Sequence, residues 1–287
     1  MRLRSPLFAP ADAERKVQKA LASDADAVVL DLEDAVVDAG KPAARAATAA
    51  LLPTLSRPGV IVRVNPRGTP WYLADLAAVV PGRPAAILLP KCTGPDDLRA
   101  LDHHLEALEA ASGLPVGGIR VLALVTETAA SVLNIGRYGG ASRRLLAFCF
   151  GAEDLSADLG ILPRGPNGAY PAPVAAARAA VLAAAGASGV LALDTPFPDP
   201  RDPEGMRREA AAAAADGFAG KILIHPAQIA PAHAAFSPSA ERLRWARAVR
   251  DAFAANPDAG TFALDGKMVD RPHLKLALRI LEAAGEG

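Results

Sequence analysis

The 287-residue sequence predicts an α/β fold, and within that class a closed (β/α)₈ or TIM barrel. The first observation is a repeated order of a short apolar run, a polar residue, a turn and a segment of helical length. The second is that the runs alternate little between apolar and polar residues, which is typical of parallel strands covered on both faces. The third is that Pro10-Ala11-Asp12 follow the first run, where an open doubly wound sheet usually has a glycine-rich phosphate turn.

Each of eight apolar runs is predicted to form one strand of the barrel. In chain order the runs are SPLFAP (5–10), DAVVLDLE (26–33), GVIVRVN (59–65), AAILLPK (85–91), IRVLALVTE (119–127), RRLLAFCFGAE (143–153), GVLALDTP (189–196) and GFAGKILIHP (217–226). The segments between them are rich in strong helix formers such as Ala and Leu, and they predict the surrounding helices. Residues 1–235 are therefore expected to form the barrel that carries the active site.

The remaining residues, 236–287, are expected to form a C-terminal helical extension. Residues 239–255 have the periodicity of an amphipathic helix, with Ser239 as its N-cap. A loop that contains DGKMVD (265–270) is predicted to follow, and residues 273–284 form a last helix. Because a barrel closes without such a segment, the extension is expected to pack on something or to cover something.

The composition and charge narrow the class of protein. Lys plus Arg equals Asp plus Glu at 31 each, and no basic stripe is present, which argues against a nucleic-acid partner. Cys92 and Cys149 are isolated from each other and from histidines, which argues against structural zinc and fits a reducing compartment. The apolar runs are shorter than a membrane span, and the N-terminus lacks a signal-peptide core. The sequence therefore predicts a soluble cytoplasmic protein that does not bind a membrane.

Charged and polar residues stand at the predicted strand ends, where barrels of this kind have their active sites. In strand order the candidates are Asp31, Glu33, Asp34, Arg63, Asn65, Lys91, Glu127, Glu153, Asp154, Asp194, His225 and Gln228. Acids outnumber bases, and oxygen ligands without clustered His or Cys suit a hard cation, Mg²⁺ or alternatively Mn²⁺. Glu127 and Asp154 end adjacent strands, so these two acids can converge on one ion.

Several of these positions also have an ordinary structural explanation. Asp34 and Asp158 fit helix N-caps as well as functional acids. His225 fits a structural histidine, Asp194 fits turn chemistry, and Lys91 fits a solvated surface residue. The set carries more weight than any single position, because five consecutive strand units end in a charged or polar residue at the same face.

The sequence resembles the citrate lyase beta-subunit family of the HpcH/HpaI aldolase/citrate lyase superfamily, which includes malyl-CoA and citramalyl-CoA lyases. The matching pieces are RSPLFAP (4–10), VVLDLEDAV (28–36) with Lys41 and Arg45, VRVN (62–65), LLPK (88–91), TETA (126–129), FGAEDLSADLG (150–160), HPAQI (225–229) and DGKMVD (265–270). They follow in order along the whole chain, which makes the match specific. Ala11 and Ser131 stand where the family usually has glycine, and neither departure removes a group that the chemistry needs.

The resemblance implies a Mg²⁺-dependent carbon–carbon lyase. Such an enzyme cleaves a 3-hydroxy-acyl thioester of the citryl, malyl or citramalyl type into an acyl thioester and a 2-oxo acid such as oxaloacetate. The thioester is carried by CoA or by an acyl carrier protein, and a citrate lyase beta subunit also works with an acyltransferase subunit. The family further suggests a homo-oligomer, either a trimer or a hexamer. The identity of the thioester stays open from the sequence.

The resemblance also implies roles for individual residues. These are Glu127 and Asp154 as metal ligands, Arg63, Gly151 and Ala152 as the substrate-binding group, and Glu33 and Asp270 as catalytic residues. The planar fork of Arg63 suits a carboxylate of the oxo acid, and a glycine lets backbone approach the same carboxylate. Glu33 is expected to hold metal-bound water. Asp270 is the candidate acid or base, contributed by the tail to the active site of a neighbouring subunit, with a helix N-cap as its alternative role.

Two alternative functions stay open. One is a metal-dependent aldolase that acts on free hydroxy acids, and it differs from the lyase in its turnover of a free acid and of the CoA ester. The other is a non-catalytic subunit that binds a carrier or serves assembly. The intact set of acids and Arg63 argue against this second alternative.

Overall fold

A computed structural model describes residues 1–166, 168–257 and 260–286, and it has the architecture of a (β/α)₈ barrel with a C-terminal helical region. Eight parallel strands hydrogen-bond to one another in chain order from β1 to β8. The barrel closes between β8 and β1, where the Phe8 amide donates to the Leu223 carbonyl at 2.9 Å and the Leu223 amide donates to the Pro6 carbonyl at 2.9 Å. The predicted fold class is therefore confirmed.

Each barrel strand lies within one of the predicted apolar runs. The strands are β1 Pro6–Pro10, β2 Ala27–Asp31, β3 Val60–Arg63, β4 Ala86–Leu89, β5 Arg120–Leu124, β6 Leu145–Cys149, β7 Leu191–Asp194 and β8 Gly220–Lys221. The eighth strand is much shorter than its predicted run. Its ladder nevertheless continues for a further step, because the Ile222 amide donates to the Asp194 carbonyl at 2.9 Å.

Helices follow the strands and enclose the barrel. They are α1 Glu14–Leu21, α2 Lys41–Leu51, α3 Tyr72–Val79, α4 Pro95–Ala111, α5 Ala129–Asn134, α6 Ala152–Asp158, α7 Ala172–Ser188, α8 Pro203–Asp216 and α9 Ile229–Phe236. Helices α7 and α8 each end at a glycine with positive φ, Gly189 and Gly217, which favours left-handed C-caps. Within the described parts of the chain, no helix is long and apolar enough to cross a bilayer.

The buried apolar residues divide into two layers because side chains alternate across each strand. An inner cluster fills the barrel and includes Val29 of β2 and Ile61 of β3, whereas an outer cluster between strands and helices includes Ala192 of β7. Asp31 and Arg63 lie two residues beyond Val29 and Ile61, so they have the inward alternation. Asp194 lies two residues beyond Ala192 and has the outward one.

The C-terminal region has a small hydrophobic cluster of its own. It consists of α10 Ala240–Ala255, β9 Thr261–Leu264, β10 Lys267–Asp270 and α11 Arg271–Ala284, and α10 packs against α11. Ser239 caps α10 as predicted, since its hydroxyl accepts from the Arg242 amide at 3.2 Å.

The predicted loop around DGKMVD is wrong in part, because β9 and β10 form an antiparallel hairpin. Asp265 and Gly266 both have positive φ, at 50° and 75°, as a two-residue type I′ turn requires. An Asp-Gly pair between short apolar stretches is the usual signal of such a turn, so the sequence contained the information. Residues 258 and 259 of the predicted loop lie outside the described residues.

Candidate active site

A cavity of about 610 Å³ opens at the carboxyl-terminal ends of the barrel strands. Its polar lining includes Asp31, Arg63, Glu127, Glu153, Asp154 and Thr195, together with Lys16 and Lys19 of α1 and His225. Gly151 and Ala152 lie beside the acids, and apolar side chains such as Phe8 and Phe150 form much of the remaining wall. The cavity therefore combines a charged end with an apolar wall, as sites for small organic acids commonly do.

Arg63 is held rigidly at the floor of the cavity. Its Nε and Nη2 atoms donate to the two oxygens of Asp31, each at 2.7 Å, and its Nη1 atom lies 2.7 Å from Oε2 of Glu33. Burial lowers the pKa of the guanidinium, but the acids Asp31, Glu33 and Glu127 outweigh burial and raise it. The two hydrogen bonds to Asp31 use two of the five N–H donors of Arg63, so the oriented, charged group retains donors for a ligand.

Lys91 connects the acids of three strand ends. Its ammonium group contacts Oε1 of Glu33, lies 2.6 Å from Oδ2 of Asp34 and lies 3.5 Å from Oδ1 of Asp154. Its backbone amide donates to Oε2 of Glu127 at 2.5 Å. The explanation of Lys91 as a solvated surface residue is therefore wrong, and the LLPK match at the end of a buried strand was the signal for its place here.

Glu127 is a buried acid with little positive charge to balance it. Its side chain is 4 % exposed, and burial, followed by the charges of Asp154 and Glu33, raises its pKa to about 8. The Lys91 amide and Arg63 act in the opposite direction without reversing the shift. Burial also raises the pKa of Glu33, against the effects of Arg63 and Lys91. An additional cation beside these carboxyl groups would therefore strongly stabilise their ionised forms.

The donor set fits a hard divalent cation. Within the described parts of the chain, the acids Asp31, Glu33, Asp34 and Asp154 at this rim form their ion pairs with Arg63 and Lys91, and Glu127 forms none. Oε2 of Glu33 is buried and has no hydrogen bond of good geometry from the residues that the structure describes, although Nη1 of Arg63 lies 2.7 Å from it. Among the described residues no three His, Cys, Asp or Glu side chains form a complete metal cage. Mg²⁺ requires no such cage, since it is usually held by one or two carboxylates and otherwise by water and substrate.

Gly151 makes room for the Glu127 side chain at the start of α6. A Cβ atom at position 151 would lie 2.8 Å from Cγ of Glu127, closer than carbon atoms pack. The amides of Gly151 and Ala152 donate to the hydroxyls of Thr126 at 2.9 Å and Thr195 at 3.3 Å. Sequence reasoning missed both threonines, although Thr126 directly precedes Glu127 in the TETA match.

Asp194 does not belong to the cavity, although it ends strand β7. It is fully buried, and its oxygens lie 2.9 Å from Nε of Arg178 and 2.9 Å from Nζ of Lys221. Its outward alternation places it between the barrel and the helices, where it balances the buried Lys221 and the partly buried Arg178. The side chain therefore serves the structure, through ion pairs in place of the expected turn chemistry.

Three other candidates have local structural roles. Asp158 accepts from the Ala129 amide at 2.6 Å and ties the end of α6 to the start of α5. His225 and Gln228 form a capping box, in which His225 accepts from the Ala227 amide at 3.2 Å. His225 also lines the cavity, so its capping role fixes the position of one wall.

Asp270 lies at the start of the last helix and is held there by His273. It is the N-cap of α11, its Oδ1 accepts from the His273 amide at 3.4 Å, and the same oxygen lies 2.5 Å from Nδ1 of His273. It is not among the residues that line the cavity described above. Asp270 therefore has the N-cap role that was the alternative to catalysis, and its second oxygen, Oδ2, has no hydrogen bond among the described residues.

Comparison with known proteins identifies the family. The model of the HpcH/HpaI aldolase/citrate lyase family matches residues 4–226. A citrate lyase subunit beta-like protein from Mycobacterium tuberculosis is 39 % identical over 282 residues, which is 98 % of this chain and 95 % of the relative. An L-malyl-CoA/beta-methylmalyl-CoA lyase from Cereibacter sphaeroides is 33 % identical over 303 residues, with 98 % of this chain and 94 % of the relative covered.

Solved structures agree in fold and in sequence. The M. tuberculosis protein CitE, in complex with magnesium, acetoacetate and coenzyme A, aligns with a TM-score of 0.76 at 37 % identity and covers 99 % of this chain and 98 % of its own. The citrate lyase beta subunit of the same organism, complexed with oxaloacetate and magnesium, gives a TM-score of 0.70 at 37 % identity over 82 % of this chain and 96 % of its own. The predicted enzyme class, a carbon–carbon lyase, is thereby confirmed. The chain belongs to the HpcH/HpaI aldolase/citrate lyase family.

Proposed function

We propose that this protein is a Mg²⁺-dependent lyase that cleaves a 3-hydroxy-acyl thioester into an acyl thioester and a 2-oxo acid. The observation that carries the proposal is the pair of neighbouring carboxyl groups of Glu127 and Asp154 next to an anchored arginine in one cavity, with Glu127 buried and without an ion pair among the described residues. A site with a cation-binding end and a fixed guanidinium suits an anion that also binds metal, and a 2-oxo acid is such an anion. The complexes of the M. tuberculosis relatives with magnesium, acetoacetate and oxaloacetate support this choice.

Glu127 and Asp154 are the proposed metal ligands. They follow adjacent strands, and the charge of Asp154 contributes to the raised pKa of Glu127, so their carboxyl groups lie near each other. Glu33 is buried, and its Oε2 accepts no hydrogen bond from the described residues; it is proposed to hold water bound to the metal. When bound, Mg²⁺ would supply Lewis-acid polarisation of the keto oxygen of the oxo acid.

Arg63 is proposed to bind a carboxylate of the oxo acid. Asp31 fixes its guanidinium plane through two hydrogen bonds, so little conformational entropy is lost when a ligand binds. Gly151 and Ala152 are proposed to border the same carboxylate. Because their amides already donate to threonine hydroxyls, we expect them to act through the shape of the cavity.

Asp270 is proposed as the acid that protonates the α-carbon of the departing acyl thioester, or as the base in the reverse reaction. Since it does not line the cavity of its own chain, we propose that it enters the cavity of a neighbouring subunit. The C-terminal region exposes Met268, Leu276 and Leu278 at 61 %, 46 % and 47 %, which supports an interface there. The proposed assembly is a homo-oligomer, a trimer or a hexamer.

The acyl group is proposed to be carried by CoA, in view of the relative that binds coenzyme A and the relative named as a malyl-CoA lyase. If the protein instead works within a citrate lyase complex, its thioester carrier is an acyl carrier protein and an acyltransferase subunit is a further partner. The two carriers share the thioester chemistry and differ in the partner that delivers it.

The proposal is tested with citryl-CoA, malyl-CoA and citramalyl-CoA, each with MgCl₂, by measuring the 2-oxo acid released. We expect turnover of at least one ester, loss of turnover with EDTA, and no turnover by Glu127→Ala. The free hydroxy acids are assayed in parallel. Equal turnover of a free acid and of its CoA ester would indicate the aldolase alternative, and full activity in Glu127→Ala would end the proposed metal chemistry.

The cross-subunit role of Asp270 has its own test. Glu127→Ala and Asp270→Asn are each expected to be inactive as pure proteins. When the two are unfolded and refolded together, sites that combine the intact Asp270 of one chain with the intact Glu127 of another should restore about a quarter of wild-type activity. No recovery in verified mixed oligomers would show that Asp270 does not act across subunits.

A further inference from the structure

We propose that Lys91 is a built-in counter-cation that competes with the divalent metal for Asp154 and thereby limits the metal affinity of this site. The inference rests on the proposed function, since it assigns to Asp154 a role as metal ligand. It assigns to Lys91 a regulatory role in metal binding, which differs from both ligand binding and proton transfer.

The contacts of the Lys91 side chain carry the inference. The ammonium group contacts Oε1 of Glu33 and lies 2.6 Å from Asp34, so it is anchored on the acids that follow strand β2. It also lies 3.5 Å from Oδ1 of Asp154, a residue that lines the cavity. The Lys91 side chain is only 31 % exposed, so solvent screens its charge incompletely.

A cation at this distance must oppose a second cation on the same carboxylate. Two like charges a few ångströms apart repel more strongly in a partly buried site than in water, because the effective dielectric constant is about 20 there and about 80 in water. The side chain of Lys91 has a flexible four-carbon stem, and Glu33 and Asp34 offer it partners away from Asp154. A metal ion can therefore displace Lys91 from Asp154. Its binding then loses the Lys91–Asp154 contact and is opposed by the repulsion between the metal ion and the Lys91 ammonium group.

The backbone of Lys91 has a separate task, which makes the side-chain role testable. The amide of Lys91 holds Oε2 of Glu127 at 2.5 Å, and the residue has a φ of 48°. A substitution that keeps an unbranched side chain retains this amide and removes the charge alone. Lys91→Met and Lys91→Gln are such changes, and Lys91→Arg keeps the charge.

The experiment is isothermal titration of MgCl₂ into the full-length protein at one fixed pH, without substrate. We expect Lys91→Met to bind Mg²⁺ about tenfold more tightly than the wild type, because a competing charge next to a ligand is removed. Lys91→Gln should behave in the same way, and it replaces Lys91→Met if that variant does not fold. Lys91→Arg should stay close to the wild type.

Lys19→Met is the matched control, because it removes the same charge from the wall of the cavity that Asp154 lines, and Lys19 forms no ion pair with the acids of the site among the described residues. Its Mg²⁺ affinity should change less than about twofold. Unchanged or weaker Mg²⁺ binding by both Lys91→Met and Lys91→Gln overturns the inference, even when the wild type binds Mg²⁺ and cleaves a thioester. A wild type that binds no Mg²⁺ overturns the proposed function together with the inference. Tighter binding without any lyase turnover supports the inference and overturns the proposed reaction.

Discussion

Replacing Glu127 with glutamine should make the metal-free protein more stable at neutral pH. The substitution keeps the shape of the side chain and an oxygen that can accept from the Lys91 amide, and it removes an ionisable group that is 4 % exposed. Burial and the neighbouring acids Asp154 and Glu33 raise the pKa of Glu127 to about 8. The perturbation therefore removes a charge that the fold opposes.

The magnitude follows from the difference between the folded and unfolded pKa values. The ordinary value is 4.5 and the folded value is about 8, so the folded chain holds a proton that the unfolded chain releases between these limits. Stability from this group is thus fully present at low pH and falls as the pH rises towards 8, by about 1.4 kcal/mol per pH unit. At pH 7 the free energy of unfolding of the wild type is therefore lower than at low pH by at most about 3 kcal/mol. Glu127→Gln has no ionisable group at this position and does not lose this stability.

The assay is urea unfolding followed by tryptophan fluorescence from pH 5 to 8 in EDTA, repeated in MgCl₂. The free energy of unfolding of Glu127→Gln should exceed that of the wild type in EDTA by an amount that grows with pH. MgCl₂ should stabilise the wild type and have little effect on the variant, because a ligand that binds only the folded state stabilises it.

Glu109→Gln is a control of opposite sign. Glu109 is fully buried, but its two oxygens accept from Arg144 at 2.9 and 2.7 Å, and these bonds, with two backbone amides, outweigh burial and lower its pKa. Its replacement should destabilise the protein by about 3 kcal/mol. If Glu127→Gln is also destabilised at pH 7 in EDTA, ionisation of the buried Glu127 does not lower the free energy of unfolding of the wild type, and the prediction is refuted.

Three further outcomes are expected. Gly151→Ala should weaken Mg²⁺ binding about tenfold, as measured by calorimetry, because the added Cβ would lie 2.8 Å from Cγ of Glu127 and displace that side chain. The circular dichroism spectrum should stay native, and an unchanged Mg²⁺ affinity would contradict this steric role. Arg63→Lys should lower kcat/KM for the thioester about a hundredfold, since a lysine cannot keep both hydrogen bonds to Asp31 and also bind a carboxylate. A decrease in kcat/KM of less than about threefold would argue against the binding of substrate by Arg63. The affinity for Mg²⁺ should rise with pH until about pH 8 and then level off, because binding displaces the Glu127 proton, and a pH-independent affinity would exclude Glu127 as a ligand.

The fold was accessible from the sequence because its signal is local. Each strand lies within a predicted apolar run, and the alternation of strands with Ala-rich helices leaves few arrangements other than the barrel. The hairpin in the C-terminal region, where a loop was predicted, also has a local signal, because Asp265-Gly266 is a typical turn pair. The existence of a rim rich in acids followed directly, because parallel strands bring their carboxyl ends together.

The composition of the site was less accessible, because it depends on which face of a strand each side chain occupies. Asp31 and Asp194 both end strands, yet Asp31 holds Arg63 inside the cavity and Asp194 pairs with Arg178 and Lys221 outside the barrel. The alternation along each strand contains this distinction, but only once the exact strand positions and the inner and outer clusters are known.

The sequence by itself determined the barrel, the family motifs and the surplus of acids at one end, since these follow from periodicity and from residue type. Only the tertiary structure decided how the charges are shared, because an ion pair depends on distances between residues far apart in the chain. Lys91 is 58 residues from Glu33 and 57 from Asp34, and no spacing rule links them. Folding brings that lysine among the acids, and burial raises the pKa of Glu127 beside it.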